Sequence, residues 1–263
     1  MESKPPVNFG GERQAHTIRA VAPVRFRVHE LVARGSGLDG RAQWLAWPPD
    51  SSRLHGDPGT LNVPSILRRR VSAIGQEAFR ASLALSEAPD VRFVFCSRYG
   101  ELDRTLRILG SLSTGEPVSP ADFSLSVHNA LVGLLSIARN NRAGHTAISA
   151  GADTFGYGVL EGATSLNDSS CEAIMLVYFD EVVASPYNEV ADATETAVAL
   201  AMLLRVPQGD SGDFLLTREP RDPSAIPQPA TAQPLDFMKF MMSGAREMTS
   251  VGERAQWRWQ RCD

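Results

Sequence analysis

The chain has 263 residues, of which 43% are hydrophobic and 21% charged, and its formal net charge is -4. That length holds one large or two small domains with a well-buried core. Without a basic excess, bulk attraction to nucleic acid or to an anionic membrane surface is excluded.

The opening "MESKPPVNFGG" lacks the apolar core of a signal peptide, so a cytoplasmic protein is expected. Residues 1–62 are rich in Gly, Pro and Arg and read as an N-terminal strand and loop extension. Within it Val24, Phe26 and Val28 alternate as in a strand, and Trp44 and Trp47 are expected to pack a loop onto the body. From Pro64 the pattern is helical to Leu85, with Pro64 at a first helical position and Val71, Ile74, Ala78, Leu83 and Leu85 at broadly helical spacing. The run Val91–Ser97 reads as a buried strand. A helix follows with Leu102, Leu106, Leu109 and Leu112 on one face, ended by "STGEP". Ser119-Pro120 starts a segment that carries a helix over Asn129–Arg139.

Next come the strand "HTAISA", the helix "DTFGYGVLEGATSL" and the strand "EAIMLVYFDE". This alternation predicts an α/β fold with a mostly parallel sheet covered by helices. After Pro186 the pattern weakens. "ETAVALAMLLRV" and "GDFLLTREP" read as two strands around "PQGDSG", with helix an open alternative for the first. The run Ala197–Leu204 is far shorter than the ~20 apolar residues of a membrane helix, so no membrane insertion is expected. Residues 219–263 read as a Pro-rich linker and a tail with a helix and a strand carrying Trp257 and Trp259, so the main domain spans residues 63–218. Cys96, Cys171 and Cys262 have no C-x-x-C spacing and suggest neither a disulfide framework nor a metal site, and Cys96 reads as a small core residue.

The stretch "NALVGLLSIARNNRAGHTAISAGAD" resembles the middle of the β-ketoacyl synthase (ketosynthase) N-terminal domain. There an Asn, a Gly four residues on and an Ile four beyond that lead into a strand ending in Thr-Ala-Cys. These are Asn129, Gly133 and Ile137 here, and counting on places the Cys position at Ala152. "LRRRVSAIGQEAFRASLAL" is similar to the family's arginine-rich first helix, and "FVFCSRYGEL" to its strand and turn. "FSLSVHNA" resembles a truncated ketosynthase-like subfamily found with aryl polyene and related polyketide or fatty acid pathways. The resemblance covers roughly Pro64–Glu181 and implies a thiolase-like fold.

In the resembled enzymes a Cys at a helix N-terminus holds the acyl chain as a thioester, and two histidines from the second half assist decarboxylation. Here Ala152 cannot form a thioester. The histidines are His16, His29, His55, His128 and His145, so none follows residue 145. Asp153 is expected to cap its own helix, with Thr154 beside it. No catalytic residue, cofactor or metal is therefore expected.

The resemblance implies pairing with an active ketosynthase in a heterodimer, as a subunit of the chain length factor type that stabilises the partner and shapes its acyl tunnel. His145, Thr146, Ala147 and Ile148 are then expected to pair across the two-fold axis. Phe123, Leu125 and Val127, alternating toward one side, and Asn129 are expected to border the tunnel. Arg68, Arg69 and Arg70 match a region that docks the acidic acyl carrier protein; a solvated helix face is the other reading. His128 reads as a hydrogen-bonded structural group or as a pocket residue. Ser124, Ser126 and Ser149 show no His–Asp arrangement. Gly156, Gly158 and Gly162 lie inside a helix, which argues against a dinucleotide turn. Two alternatives stay open: a decarboxylase or acyltransferase using Asp153 or Thr154, and a stand-alone acyl-chain-binding module.

Overall fold

The structure is a computed structural model that describes residues 22–35, 68, 70–85, 91–168, 171–183, 197–226 and 232–262. Strand β1 (Val24–Gly35) is followed by helix α1 (Ala73–Ala84), β2 (Arg92–Cys96), α2 (Leu102–Thr114), α3 (Pro120–Leu125) and α4 (Ala130–Ala138). Then come β3 (His145–Ile148), a 3₁₀ turn (Gly151–Asp153), α5 (Thr154–Ser165), β4 (Ala173–Asp180), β5 (Val198–Arg205) and β6 (Asp213–Pro220). Helix α6 (Ala232–Ser243) and strands β7 (Glu247–Val251) and β8 (Ala255–Arg261) complete the order. Pro64, Trp44 and Trp47 lie outside the described residues. Where the sequence suggested one helix to Leu85, the described helix begins only after Ser72. That residue is extended and its hydroxyl accepts the Gly75 N–H at 3.2 Å, so it caps α1 and leaves Val71 in front of it.

All eight strands form one sheet, in the order β3-β2-β4-β5-β1-β6-β8-β7. The expectation of a mostly parallel sheet needs correction. Parallel pairing joins β2 to β3 and β2 to β4, while every other neighbouring pair is antiparallel. Parallel neighbours require a crossover, and the helical crossovers α2–α4 and α5 serve only these three strands. Strands β5 and β6 are strands as expected, yet they do not pair with each other, because β1 lies between them. The three sequence segments thus meet in one sheet: β1 from 1–62 sits near its centre, and β7 and β8 from 219–263 extend it.

Helices cover both faces. On one side α1 and α4 bring Ala78, Phe79, Leu131 and Leu135 onto Phe93, Phe95, Val177 and Leu203. On the other, α5 and α6 bring Phe155, Val159, Phe237 and Phe240 onto Val94, Leu176, Met202 and Trp259. Strand β5 contributes to both, Leu200 and Met202 to one core and Ala199 and Ala201 to the other. That two-sided burial explains its unbroken apolar sequence and resolves the helix alternative in favour of a strand. Each buried Leu or Phe stabilises the fold by roughly 2 kcal/mol. Among the described residues no helix is long and apolar enough to cross a membrane.

The three glycines of α5 mark close packing. A Cβ on Gly158 would sit 2.5 Å from Cys96 Sγ, one on Gly162 would sit 2.9 Å from Leu204 Cδ1, and one on Gly156 would overlap the Trp257 ring. Backbone approach to the sheet and to β8, with no dinucleotide turn, is their use here.

Candidate functional site

Strand β3 delivers the chain to the start of α5 through the 3₁₀ turn. Ala152 is buried there and presents only a methyl group. Thr154 Oγ1 accepts the Ala150 N–H at 2.9 Å and donates to the Gly151 carbonyl at 2.7 Å, so its hydroxyl is spent on the turn. Ser149 Oγ donates to the Arg98 carbonyl at 2.7 Å, Ser124 to Ala121 and Ser126 to Phe123. Each candidate serine thus has a main-chain acceptor.

Asp153 corrects an expectation. Its side chain makes no cap bond to α5. Instead its fully buried carboxylate accepts the Trp257 indole N–H and the Arg254 amide N–H, each at 2.7 Å. The Gly156 N–H at the start of α5 is accepted by Gln233 Oε1 at 3.2 Å, from the first turn of α6. At Gly252, in the turn between β7 and β8, any Cβ would collide with the Asp153 carboxylate. Gln233, Gly252, Arg254 and Trp257 were missed by the sequence reading. Alternating tryptophans announce a strand, but no local signal says where a strand that distant will dock.

Strand β3 ends the sheet, and among the described residues nothing pairs with its outer side. Its inner side is in register with β2, from Phe93 opposite His145 to Cys96 opposite Ile148. His145 is exposed, Thr146, Ala147 and Ile148 are half-buried, and Thr146 Oγ1 accepts from Arg92 Nη2 at 3.3 Å. His128 Nε2 donates to the Ile148 carbonyl at 3.1 Å. This supports its structural reading and brings the α3–α4 segment against the end of β3.

Phe123, Leu125 and Val127 do not alternate as in a strand. Ser119 caps α3 by accepting the Asp122 N–H, with Pro120 in the first turn, and residues two apart on a helix point to opposite sides. Phe123 is 68% and Val127 52% exposed, Leu125 is half-buried, and Asn129 is exposed just ahead of α4. Ile137, at 74%, and Leu112, at 61%, add further apolar surface, so the α2 leucine stripe is only partly covered.

Arg68 and Arg70 are exposed, whereas Arg69 lies outside the described residues. The Arg70 carbonyl accepts from Arg104, which also pairs with Glu101 and Asp122, and this fixes the backbone under the two exposed arginines. Elsewhere, Asp180 is buried at the end of β4 and accepts from the Tyr178 hydroxyl, Ser97 Oγ and the Arg98 N–H. Burial pushes its carboxyl up, the Tyr178 phenol well up and the Cys96 thiol up, which makes Cys96 inert core. Beside it Glu181 is raised to about 7 by burial and by Asp103, Glu101 and Asp180. No group of three or more His, Cys, Asp or Glu capable of holding a metal occurs among the described residues.

The chain matches the family model "Beta-ketoacyl synthase, N-terminal domain" over residues 44–260. The complex of the ketosynthase ApeO with its chain length factor ApeC from Xenorhabdus doucetiae contains a similar chain. The TM-score is 0.79 at 28% identity, covering 90% of this chain and 100% of that one. A chain of the ishigamide ketosynthase/chain length factor gives 0.59 at 12% identity, covering 76% and 68%. A chain of AntDE:AntF, a type II polyketide synthase acyl carrier protein in complex with its ketosynthase bound to the hexaketide, gives 0.58 at 12%, covering 92% and 100%. The last two likenesses establish the fold alone. No curated protein sequence matches the chain. The fold is thiolase-like, as the resemblance implied, and the chain belongs to the β-ketoacyl synthase N-terminal domain family.

Proposed function

We propose that this chain is a non-elongating ketosynthase-like subunit of the chain length factor type. It pairs with an active β-ketoacyl-ACP synthase, stabilises it and shapes its acyl tunnel in polyketide, aryl polyene or fatty acid biosynthesis. The observation that carries this reading is the buried methyl of Ala152 where the resemblance places the nucleophile, with the neighbouring Asp153 and Thr154 both committed to structural hydrogen bonds. The likeness to a chain of a ketosynthase–chain length factor complex supports it. So do the open β3 edge, which offers backbone groups unpaired among the described residues, and the exposed apolar side chains Phe123, Val127 and Ile137 of the α3–α4 region, features suited to a large obligate interface. His145 to Ile148 then pair with the partner, and Phe123, Leu125, Val127 and Asn129 border its tunnel. Arg68, Arg69 and Arg70 offer positive charge to an acidic acyl carrier protein. The buried Asp153, with each carboxylate oxygen already hydrogen-bonded, speaks against the decarboxylase alternative.

Co-expression with a ketosynthase from the same source tests the reading. A single heterodimer peak on a sizing column is expected, with an acyl primer elongated from malonyl-loaded carrier, with release of carbon dioxide, by the pair and not by this chain alone. Two separate soluble proteins, or carbon dioxide release by this chain alone, would overturn it.

A further inference from the structure

The sequence alone leaves an empty pedestal at the start of α5. The structure shows it occupied. Asp153 is drawn away from α5 by the β7–β8 hairpin, the Gly156 N–H is taken by Gln233 of α6, and the Trp257 ring fills the space where a Gly156 side chain would stand. Trp257 also meets the Tyr157 ring edge-on with centroids 5.0 Å apart, and Phe155 packs on Phe237 at 5.4 Å and on Trp259 at 5.6 Å. Gln233, Asp153, Phe155, Trp257 and Trp259 are all buried. The Gly156 N–H, and the space beside it that a helix start can offer to an anionic or acylated group, are therefore taken by Gln233 and Trp257 of the same chain.

We infer that the α6 helix and the β7–β8 hairpin form a built-in plug that replaces a ligand at the start of α5, so that a nucleophile restored at residue 152 stays unreactive while the plug is seated. This inference rests on the non-elongating reading and adds a physical barrier to it: the missing sulfur is one obstacle to acylation, and the seated hairpin is a second, independent one. Asp153 is the latch. It holds a side-chain donor and a main-chain donor of the hairpin at once, and an amide in its place offers one acceptor oxygen and sets an N–H against an N–H. Gly252 is the matching requirement on the hairpin, since its missing side chain is what allows the turn to close over the carboxylate.

The test uses the full chain with A152C and the double variant A152C/D153N, treated with iodoacetamide and followed by peptide mass spectrometry. The half-buried native Cys171, which lies outside α6 and the hairpin, provides the reference rate in the same sample. For A152C the new thiol is expected to label at least about tenfold more slowly than Cys171, because reaction waits on local opening. In the double variant its rate is expected to rise about tenfold while that of Cys171 is unchanged. Labelling of A152C as fast as Cys171, an acyl adduct on A152C from a loaded carrier, or no acceleration by D153N overturns the plug. Co-purification of A152C with the ketosynthase is read separately: its loss counts against the pairing, and the labelling rates count for or against the plug.

Discussion

The carboxylate of Asp153 accepts the indole N–H of Trp257 at 2.7 Å, a bond between two buried groups 104 residues apart. It joins the turn after the edge strand β3 to the last strand, β8, and so ties the start of α5 to the β7–β8 hairpin. The same carboxylate takes the Arg254 N–H through its other oxygen.

Removing that acceptor leaves the buried Trp257 indole N–H and the part-buried Arg254 amide N–H without their acceptor. Asp153→Ala is expected to destabilise the fold by about 2–4 kcal/mol, whereas Trp257→Phe, which keeps a ring but loses the N–H, is expected to cost about 1–3 kcal/mol. In the D153A/W257F pair the effects are expected to be less than additive, because one hydrogen bond is shared. Urea unfolding of the four proteins measures this, and full additivity would show that the bond carries no coupling energy.

Glu181 supplies a pH dependence. Its carboxyl titrates at about 7, above the ordinary 4.5, because burial and the acidic neighbours Asp103, Glu101 and Asp180 oppose its charge, while Arg107 offsets them in part. The native state therefore holds this proton more tightly than the unfolded chain. The resulting stability is fully present below pH 4.5 and is lost as pH rises through about 7. The effect is on the order of 2 kcal/mol after solvent screening. Glu181→Gln is expected to raise the Tm at pH 8 and to leave it nearly unchanged at pH 4.5; an equal change at both would contradict the assignment.

The exposed apolar side chains of the α3–α4 region give a test of pairing that leaves the core alone. Val127→Glu and Ile137→Glu place charge on surface that is already solvent-exposed, so each is expected to change monomer stability by less than about 0.5 kcal/mol. Together they are expected to weaken association with the ketosynthase partner at least about tenfold, since a charge buried without a partner is costly. Titration of the purified subunits by analytical ultracentrifugation reads this directly. Unaltered affinity would remove the α3–α4 surface from the interface.

Local pattern was enough wherever one element decides its own conformation. The runs that became β2 and β4, the glycine-marked α5, the Ala130–Ala138 helix and the alternating Trp257 and Trp259 were all legible in the order of apolar residues. So was the absence of a thiol, since it depends only on which residue stands at 152. The five-residue alternation of Phe123, Leu125 and Val127 misled, because Ser119 and Pro120 start a separate short helix there, and a window that short fits either period. The apolar run of β5 was ambiguous for a related reason: a strand buried on both faces has no alternation to read.

By itself the sequence determined the α/β elements, the family resemblance and the methyl group at Ala152, all of them properties of neighbouring residues or of their spacing. Only the tertiary structure decided that β1 lies between β5 and β6, that most of the sheet is antiparallel, and that the tail belongs to the same core. It also decided that Asp153 serves the final hairpin instead of its own helix. The physical reason is that a buried donor takes whichever acceptor packing brings within reach, and packing between segments a hundred residues apart leaves no mark on the sequence around either one.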